Sequence, residues 1–386
     1  MSITLDGQAA TTGASERLST RIVFFAAGLA MAAWAPLVPY AKTRIGIDEG
    51  TLGLLLLALG AGSLVAMPLT GAIAARYGCR LVILVALAVV CAILPSLAYL
   101  SSWMTMAFAL FLFGAAIGTV DVAINIQAVI VEKASGRALM SGFHGFFSLG
   151  GIVGAGLVSL LLRLHWSPLG AAVGVAALLV LLALVSSRGL LRQGDGSHGD
   201  SPFALPHGIV VLIGALCFVV FLAEGAMLDW SALLLVTQRD LQPSLGGIGY
   251  AVFALAMTLG RFSGDRVVQR FGPRPIMVIG GICAAAGFVI GAMVPSTAAT
   301  LLGFALVGLG CSNIVPVLFT AAGRQHAMPA GAAVSAISTL GYAGILAGPA
   351  AIGWIAHMSS LPLAFVMLGV ALMAVAASAR FVVAGR

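Results

Sequence analysis

Apolar runs of about 20 residues, each long enough to cross ~30 Å of hydrocarbon as a helix, recur along the chain with short polar gaps between them. The pattern predicts twelve membrane-spanning helices, over 21–41, 51–74, 81–100, 103–131, 139–162 and 168–187, then 207–236, 245–264, 275–294, 299–323, 332–356 and 362–383. Between the two groups of six lies "SSRGLLRQGDGSHGDSPFALP" (186–206), the longest polar, Gly- and Ser-bearing stretch after the N-terminus, which reads as a cytoplasmic linker. The chain thus divides into a tail over 1–20, a six-helix bundle over 21–187, a linker over 188–206 and a second bundle over 207–386. The tail lacks the order of basic region, short apolar core and small-residue cleavage site that marks a signal peptide, and reads as disordered and cytoplasmic.

Composition agrees with the pattern. Of the 386 residues, 61% are hydrophobic and 8% charged, with a mean hydropathy of +1.13, a balance foreign to soluble domains. In a soluble protein the net charge of +7 would direct attention to nucleic acid. Here the basic residues fall at helix ends and carry topology instead. With a cytoplasmic N-terminus, 14 of the 19 Lys and Arg lie on inside segments and 4 (Lys42, Arg44, Arg163, Arg239) on outside ones, leaving Arg261 at a membrane edge. The bias and the even number of crossings place both termini in the cytoplasm. The five cysteines are scattered through apolar helices without C-x-x-C spacing and read as packing residues. No G-x-x-x-x-G-K-[ST] loop and no H-E-x-x-H helix occurs, and the loops are too short for a soluble catalytic domain. These features argue against an enzyme and against any metal or cofactor.

The two halves repeat. "GAIAARYGCR" with Arg76, Gly78 and Arg80 returns as "DRVVQRFGPR" with Arg270, Gly272 and Arg274, each shifted by 194. "GTVD" returns as "GCSN", pairing Asp121 with Asn313 at a shift of 192, and Ser141, Gly150 and Gly154 return as Ser335, Gly344 and Gly348 at 194. A six-helix unit has been duplicated, the arrangement that lets two bundles rock about a site near the bilayer midplane.

On these residues the chain resembles the major facilitator superfamily over essentially its whole length. The family's G-x-x-x-D-R-x-G-x-R loop after the second helix is present as Gly71, Arg76, Gly78 and Arg80, with Ala75 in place of the acid; the second copy, "GDRVVQRFGPR", keeps a displaced acid in Asp265. The resemblance implies an all-α membrane fold of two pseudo-symmetric six-helix bundles. It also implies a conformational latch built from Arg76, Arg80, Asp265, Arg270 and Arg274, with Arg side chains reaching carboxylates and helix ends. "DVAINIQAVIVE", "SGFHGFFSLGG" and "EGAMLDWSALLL" resemble a bacterial inner-membrane branch near fucose-permease-like sugar:proton symporters. This implies a multi-pass inner-membrane protein, working as a monomer in the bilayer.

Of twelve acidic residues, nine fall in tails, loops or helix ends; Asp121, Glu224 and Asp229 remain. A charge deep in the membrane costs about 2.5–3.5 kcal/mol on insertion scales, so such residues face a watered cavity or a partner. Asp121 lies 11 residues from Glu132, or ~16 Å, about half the hydrocarbon depth. Asn125, four residues on, shares its helix face, which Gly114 and Gly118 extend. No Lys lies in mid-membrane, and Arg261, one turn from Asp265, is expected to snorkel or pair locally at the cytoplasmic edge. The three acids are therefore candidates for proton coupling or solute binding. Asn125, Gln127 and Asn313 supply amides, and Trp34 and Trp230 rings, for a hydroxyl-bearing or zwitterionic solute. His144 reads either as a relay or solute contact, or as a buried packing histidine. Pro36, Pro39, Pro316 and Pro349 mark expected bends. Three functions follow: proton-coupled symport of a small polar solute, proton-driven efflux of amphipathic compounds, suggested by the Gly-Pro run "GILAGPAAIG" (344–353), or a non-transporting receptor or scaffold.

Overall fold

The computed structural model describes residues 13–194 and 205–383. Among these there are helices and turns but no strand. The first half comprises α1 (Ala14–Ala32), α2 (Val38–Ile45), α3 (Glu49–Tyr77), α4 (Cys79–Leu97), α5 (Trp103–Ser135), α6 (Met140–Arg163) and α7 (Pro168–Ser186). The second comprises α8 (Ile209–Arg239), α9 (Ile248–Phe271), α10 (Pro273–Met293), α11 (Thr297–Cys311), α12 (Ile314–Arg324), α13 (Ala330–Met358) and α14 (Leu361–Val382). Taking α1 with α2 and α11 with α12 as broken rods, eleven segments among the described residues are long and apolar enough to cross a membrane. α9 is the twelfth rod; Arg261, Asp265, Arg266 and Arg270 lower its hydropathy, yet it packs against α11, α8 and α6 as the others pack.

The breaks fall where proline removes an amide donor. A 3₁₀ turn at Ala35–Leu37 carries Pro36 and separates α1 from α2, while Asn313 interrupts the tenth rod three residues before Pro316. Pro349, expected to bend its helix, stays within an unbroken α13. The tail is shorter than its sequence suggests. α1 starts at Ala14, and Ser19 and Thr20 are buried because the last residues of the first half, Gly189 to Leu191, pack on them. Residues 1–12 lie outside the described part.

The duplication is visible in the contacts. Gly150 and Gly154 let α6 close on α1 at Phe25 and Leu29, and their counterparts Gly344 and Gly348 let α13 approach α8 at Phe218 and Leu222. The turns after α3 and α9 both hinge on a glycine in the left-handed region, Gly78 at φ +81° and Gly272 at φ +83°. Arg44 donates to the carbonyls of Leu97 and Leu100 at the end of α4 (2.8 and 2.9 Å). Arg239 donates to those of Gly291 and Ala292 at the end of α10 (both 3.0 Å). Both are cations on orphaned helix C-terminal carbonyls, placed alike in each half. A Cβ at Gly150 would overlap the Phe25 carbonyl, whereas one at Gly156 on the same helix meets nothing within 4 Å. Gly150→Ala is therefore expected to cost about 2 kcal/mol through forced separation of α1 and α6, and Gly156→Ala nearly nothing, measured by thermal unfolding in detergent.

The halves meet along α3–α13 and α6–α9, and where α12 crosses α5 and α6. The side-chain hydrogen bonds joining them gather toward the end of the molecule where Arg76, Lys133, Arg270 and Arg324 lie, here termed the basic end. Asp265 accepts from the Gly142 amide, and the Thr320 hydroxyl donates to Glu132 (2.6 Å). The Ser335 hydroxyl donates to the Met67 carbonyl. At the other end Tyr40, Asp229 and Tyr250 are exposed. The molecule is closed at the basic end.

Candidate functional site

Asp121 sits near the middle of the 33-residue α5, half-buried, and its carboxylate has no ion pair or hydrogen bond among the described residues. Tyr342 of α13, in the opposite half, lies within its electrostatic reach. Asp121 is thus an acid at mid-depth at the junction of the halves without a cation.

Glu224 is different. It stands at the centre of the 31-residue α8, and Arg261 Nη2 lies 3.5 Å from its Oε1, with the Arg side chain 7% and the Glu side chain 18% exposed. The expectation that Arg261 would rest at the membrane edge near Asp265, leaving the mid-membrane acids without a counter-ion, is corrected for Glu224. Asp265 is engaged by the Gly142 amide, and the Arg261 side chain runs the other way, along α9 toward α8 and α6. There its Nη1 donates to Ser148 Oγ (2.6 Å) and its Nε to the Ser312 carbonyl (3.4 Å). A buried guanidinium needs such acceptors, since desolvating an unpaired charge is costly.

Other candidates separate into two groups. Asp229 is exposed, and Trp230 beside it is half-buried with its ring against Gly353. Asn313, half-buried at the break before α12, donates to the Gly260 carbonyl (3.1 Å) and to Ser312 Oγ (2.9 Å), which leaves its Oδ1 without a partner. The remaining candidates are buried. Asn125 is 1% exposed; its Nδ2 donates to the Asp121 carbonyl (2.9 Å) and its Oδ1 meets His144 Nε2 (3.2 Å). With the amide nitrogen donating, the oxygen accepts, so His144 carries its proton on Nε2. The His144 ring lies between Phe24 of α1 and Phe319 of α12, a packing histidine in the plug that joins the halves. Trp34 is 4% exposed in the core of the first half, with its indole N–H unpartnered.

Three further expectations are corrected. Gln127 does not line a cavity; its Oε1 accepts from the Leu191 amide (3.0 Å) and its Nε2 reaches the Thr20 hydroxyl (3.3 Å) and the Gly189 carbonyl (3.5 Å), fastening the segment after α7 to the first half. Gly114 and Gly118 do not form a groove beside Asp121, because α3 packs on them through Leu59 and Ser63. Nor do the loop arginines reach carboxylates among the described residues. Arg76 and Arg270 lie over the rings of Tyr77 and Phe271, and the side chains of Arg80 and Arg274 have no partner there. Acids make the hydrogen bonds across this end instead. Asp265 accepts at the N-terminus of α6, and Glu132, 3% exposed and read from sequence as a helix-end residue, accepts from the Leu139 and Met140 amides (both 2.8 Å) as well as from Thr320. An anion at a helix N-terminus is favourably placed. Asp265→Asn is expected to weaken the closed end about fivefold in population, read as widening between spin labels on α5 and α12.

No disulfide joins the five cysteines, which are buried or half-buried, and no cluster of three or more His, Cys, Asp or Glu able to hold a metal occurs among the described residues. Gly344 and Gly348 of the Gly-Pro run serve helix packing against α8. A groove of about 440 Å³ between α3, α4 and α5, lined by Ile73, Val85, Val89 and Leu112, is almost wholly apolar and has none of the acids or amides above.

The family model of the Major Facilitator Superfamily matches residues 22–248 and 213–385. The chain belongs to the major facilitator superfamily. It is a multi-pass membrane protein of a transporter family, not an enzyme. It is 57% identical over 383 residues to an uncharacterised MFS-type transporter of Yersinia pestis, covering 99% of this chain and 100% of that one. In fold it is similar to the E. coli fucose:proton symporter FucP, with a TM-score of 0.80 at 16% identity over 96% of this chain and 98% of that one. A second FucP structure, in the outward conformation, gives 0.81 at 16% identity over 96% and 99%. Transporters of the superfamily carry small solutes across membranes.

Proposed function

We propose that this chain is a secondary active transporter that moves a small polar organic solute, sugar-like or zwitterionic, by proton-coupled symport with alternating access. The observation that carries the reading is Asp121: a carboxylate midway along α5, at the junction of the halves, with no cation among the described residues to hold its charge. Desolvation disfavours a lone carboxylate, so the group is suited to take a proton on one side and release it on the other. Glu224 with Arg261 and Asn313, and Asp229 and Trp230 further from the basic end, supply donors and acceptors for a hydroxyl-bearing or zwitterionic solute. The similarity in fold to a fucose:proton symporter is in keeping with such a solute. Asn125 and His144 join this set as residues uncovered when the basic end opens, and Trp34 contributes a ring only if the first half itself rearranges.

In this reading α9 is a twelfth crossing, the bundles over 21–187 and 207–386 rock as units about the linker, and the positive-inside bias puts the basic end and both termini in the cytoplasm. The closed basic end then makes this an outward-facing state. The protein works as a monomer in the bacterial inner membrane. Reconstituted protein tested with a panel of sugars, amino acids, organic acids and cationic dyes, with and without an imposed pH gradient, is expected to accumulate one of the polar classes when the outside is acidic. Accumulation of the dyes alone, under the opposite gradient, would instead establish efflux.

A further inference from the structure

The repeat shift links Met31 to Glu224 (193 residues), Met67 to Arg261 (194) and Ser148 to Tyr342 (194). Members of both sets meet in space. At one interface Arg261 touches Glu224 and Ser148; at the other the Tyr342 hydroxyl points at Met31 Sδ (3.9 Å). Two equivalent junctions between the halves therefore differ in kind, one holding a guanidinium and a carboxylate and the other a thioether and a phenol.

At the charged junction Arg261 and Glu224 belong to the second half and Ser148 to the first. The contact across the junction is short, 2.6 Å, while the two contacts within the half are long, 3.5 Å to Glu224 and 3.4 Å to the Ser312 carbonyl, where a well-made charge-assisted hydrogen bond measures about 2.7–2.9 Å. The guanidinium is thus closer to Ser148 than to its ion-pair partner. Opening the basic end requires α6 to leave α9, which breaks the Ser148 contact and releases the guanidinium to close on Glu224 behind it.

We propose that Arg261 is a lock between the halves for which Ser148 and Glu224 compete: Ser148 holds the basic end shut, and the Glu224 carboxylate favours its opening. The mechanism of release rests on the transport reading above. A bound solute that offers an acceptor oxygen, as a hydroxyl, carbonyl or carboxylate, adds to the pull on Arg261 and frees it from Ser148. This narrows the solute to compounds with such an acceptor facing α9. The lock itself needs no solute to be seen.

The test measures spin-label distances between Lys133→Cys on α5 and Arg324→Cys on α12, in a background with the five native cysteines replaced. Asp265→Asn is included so that both populations are occupied, and no solute is added. Ser148→Ala is expected to raise the ratio of open to closed basic ends about fivefold, and Glu224→Gln to lower it by a similar factor. Ser148→Thr, which keeps the hydroxyl, is expected to return the parent ratio. A merely structural cluster would loosen with every substitution, so shifts of the same sign for Ser148→Ala and Glu224→Gln, or no shift in either, would overturn the proposal. If Glu224→Gln does not fold, Ser148→Thr opening as far as Ser148→Ala has the same force. Failure of the solute panel to show transport would leave these distances unaffected, so the two readings fail separately.

Discussion

Asp121→Asn is expected to abolish accumulation while leaving exchange intact. With one proton per solute, a pH difference of about one unit sustains about tenfold accumulation, because one unit corresponds to about 1.4 kcal/mol. Asparagine keeps the size and much of the hydrogen bonding of the acid but binds no exchangeable proton. The variant should therefore equilibrate solute without concentrating it, and solute-for-solute exchange should persist within about twofold of the parent. Fold should be retained, since the Asp121 side chain has no partner among the described residues to lose. Accumulation by the Asn variant at the parent level would remove Asp121 from the coupling role and shift attention to Glu224.

The second large effect is on stability and has an internal precedent. Arg261→Met leaves the Glu224 carboxylate, 18% exposed, without its cation and should destabilise the protein by about 3 kcal/mol. Adding Glu224→Met should recover most of that loss, because a buried ion pair is often replaceable by well-packed apolar side chains. The first half already holds this solution, with Met31 and Met67 at the two corresponding positions. Thermal unfolding of the single and double variants checks it; a double variant as unstable as Arg261→Met would show that the pair is required for folding.

Much of the architecture could be read from the chain because the bilayer imposes it. Long apolar runs, the 194-residue shift and the Gly150–Gly344 match each became a rod, a second half or a close helix contact. Asp121 stood out for the same reason: a charge in hydrocarbon is rare enough to mark itself. The direction of Arg261 did not. A long flexible side chain one turn from Asp265 can point toward either end of its helix, and the choice depends on Glu224, 37 residues away on another rod. Gln127 and Glu132 escaped for a related reason, since their partners are main-chain amides that no residue type advertises. The repeat held an unused signal, however. Shifts within one residue of the one that paired the loop glycines also set Glu224, Arg261 and Ser148 against Met31, Met67 and Tyr342, and pair Arg44 with Arg239.

The claim beneath the transport reading is that Asp121 changes protonation during the working cycle. Infrared difference spectroscopy of the reconstituted protein, titrated across neutral pH, observes the carboxyl group itself. The account expects a protonated-carboxyl C=O band that disappears as pH rises, moves when solute is added, and is absent from Asp121→Asn. A band that survives unchanged in that variant, or a parent spectrum without any titrating carboxyl, would contradict it.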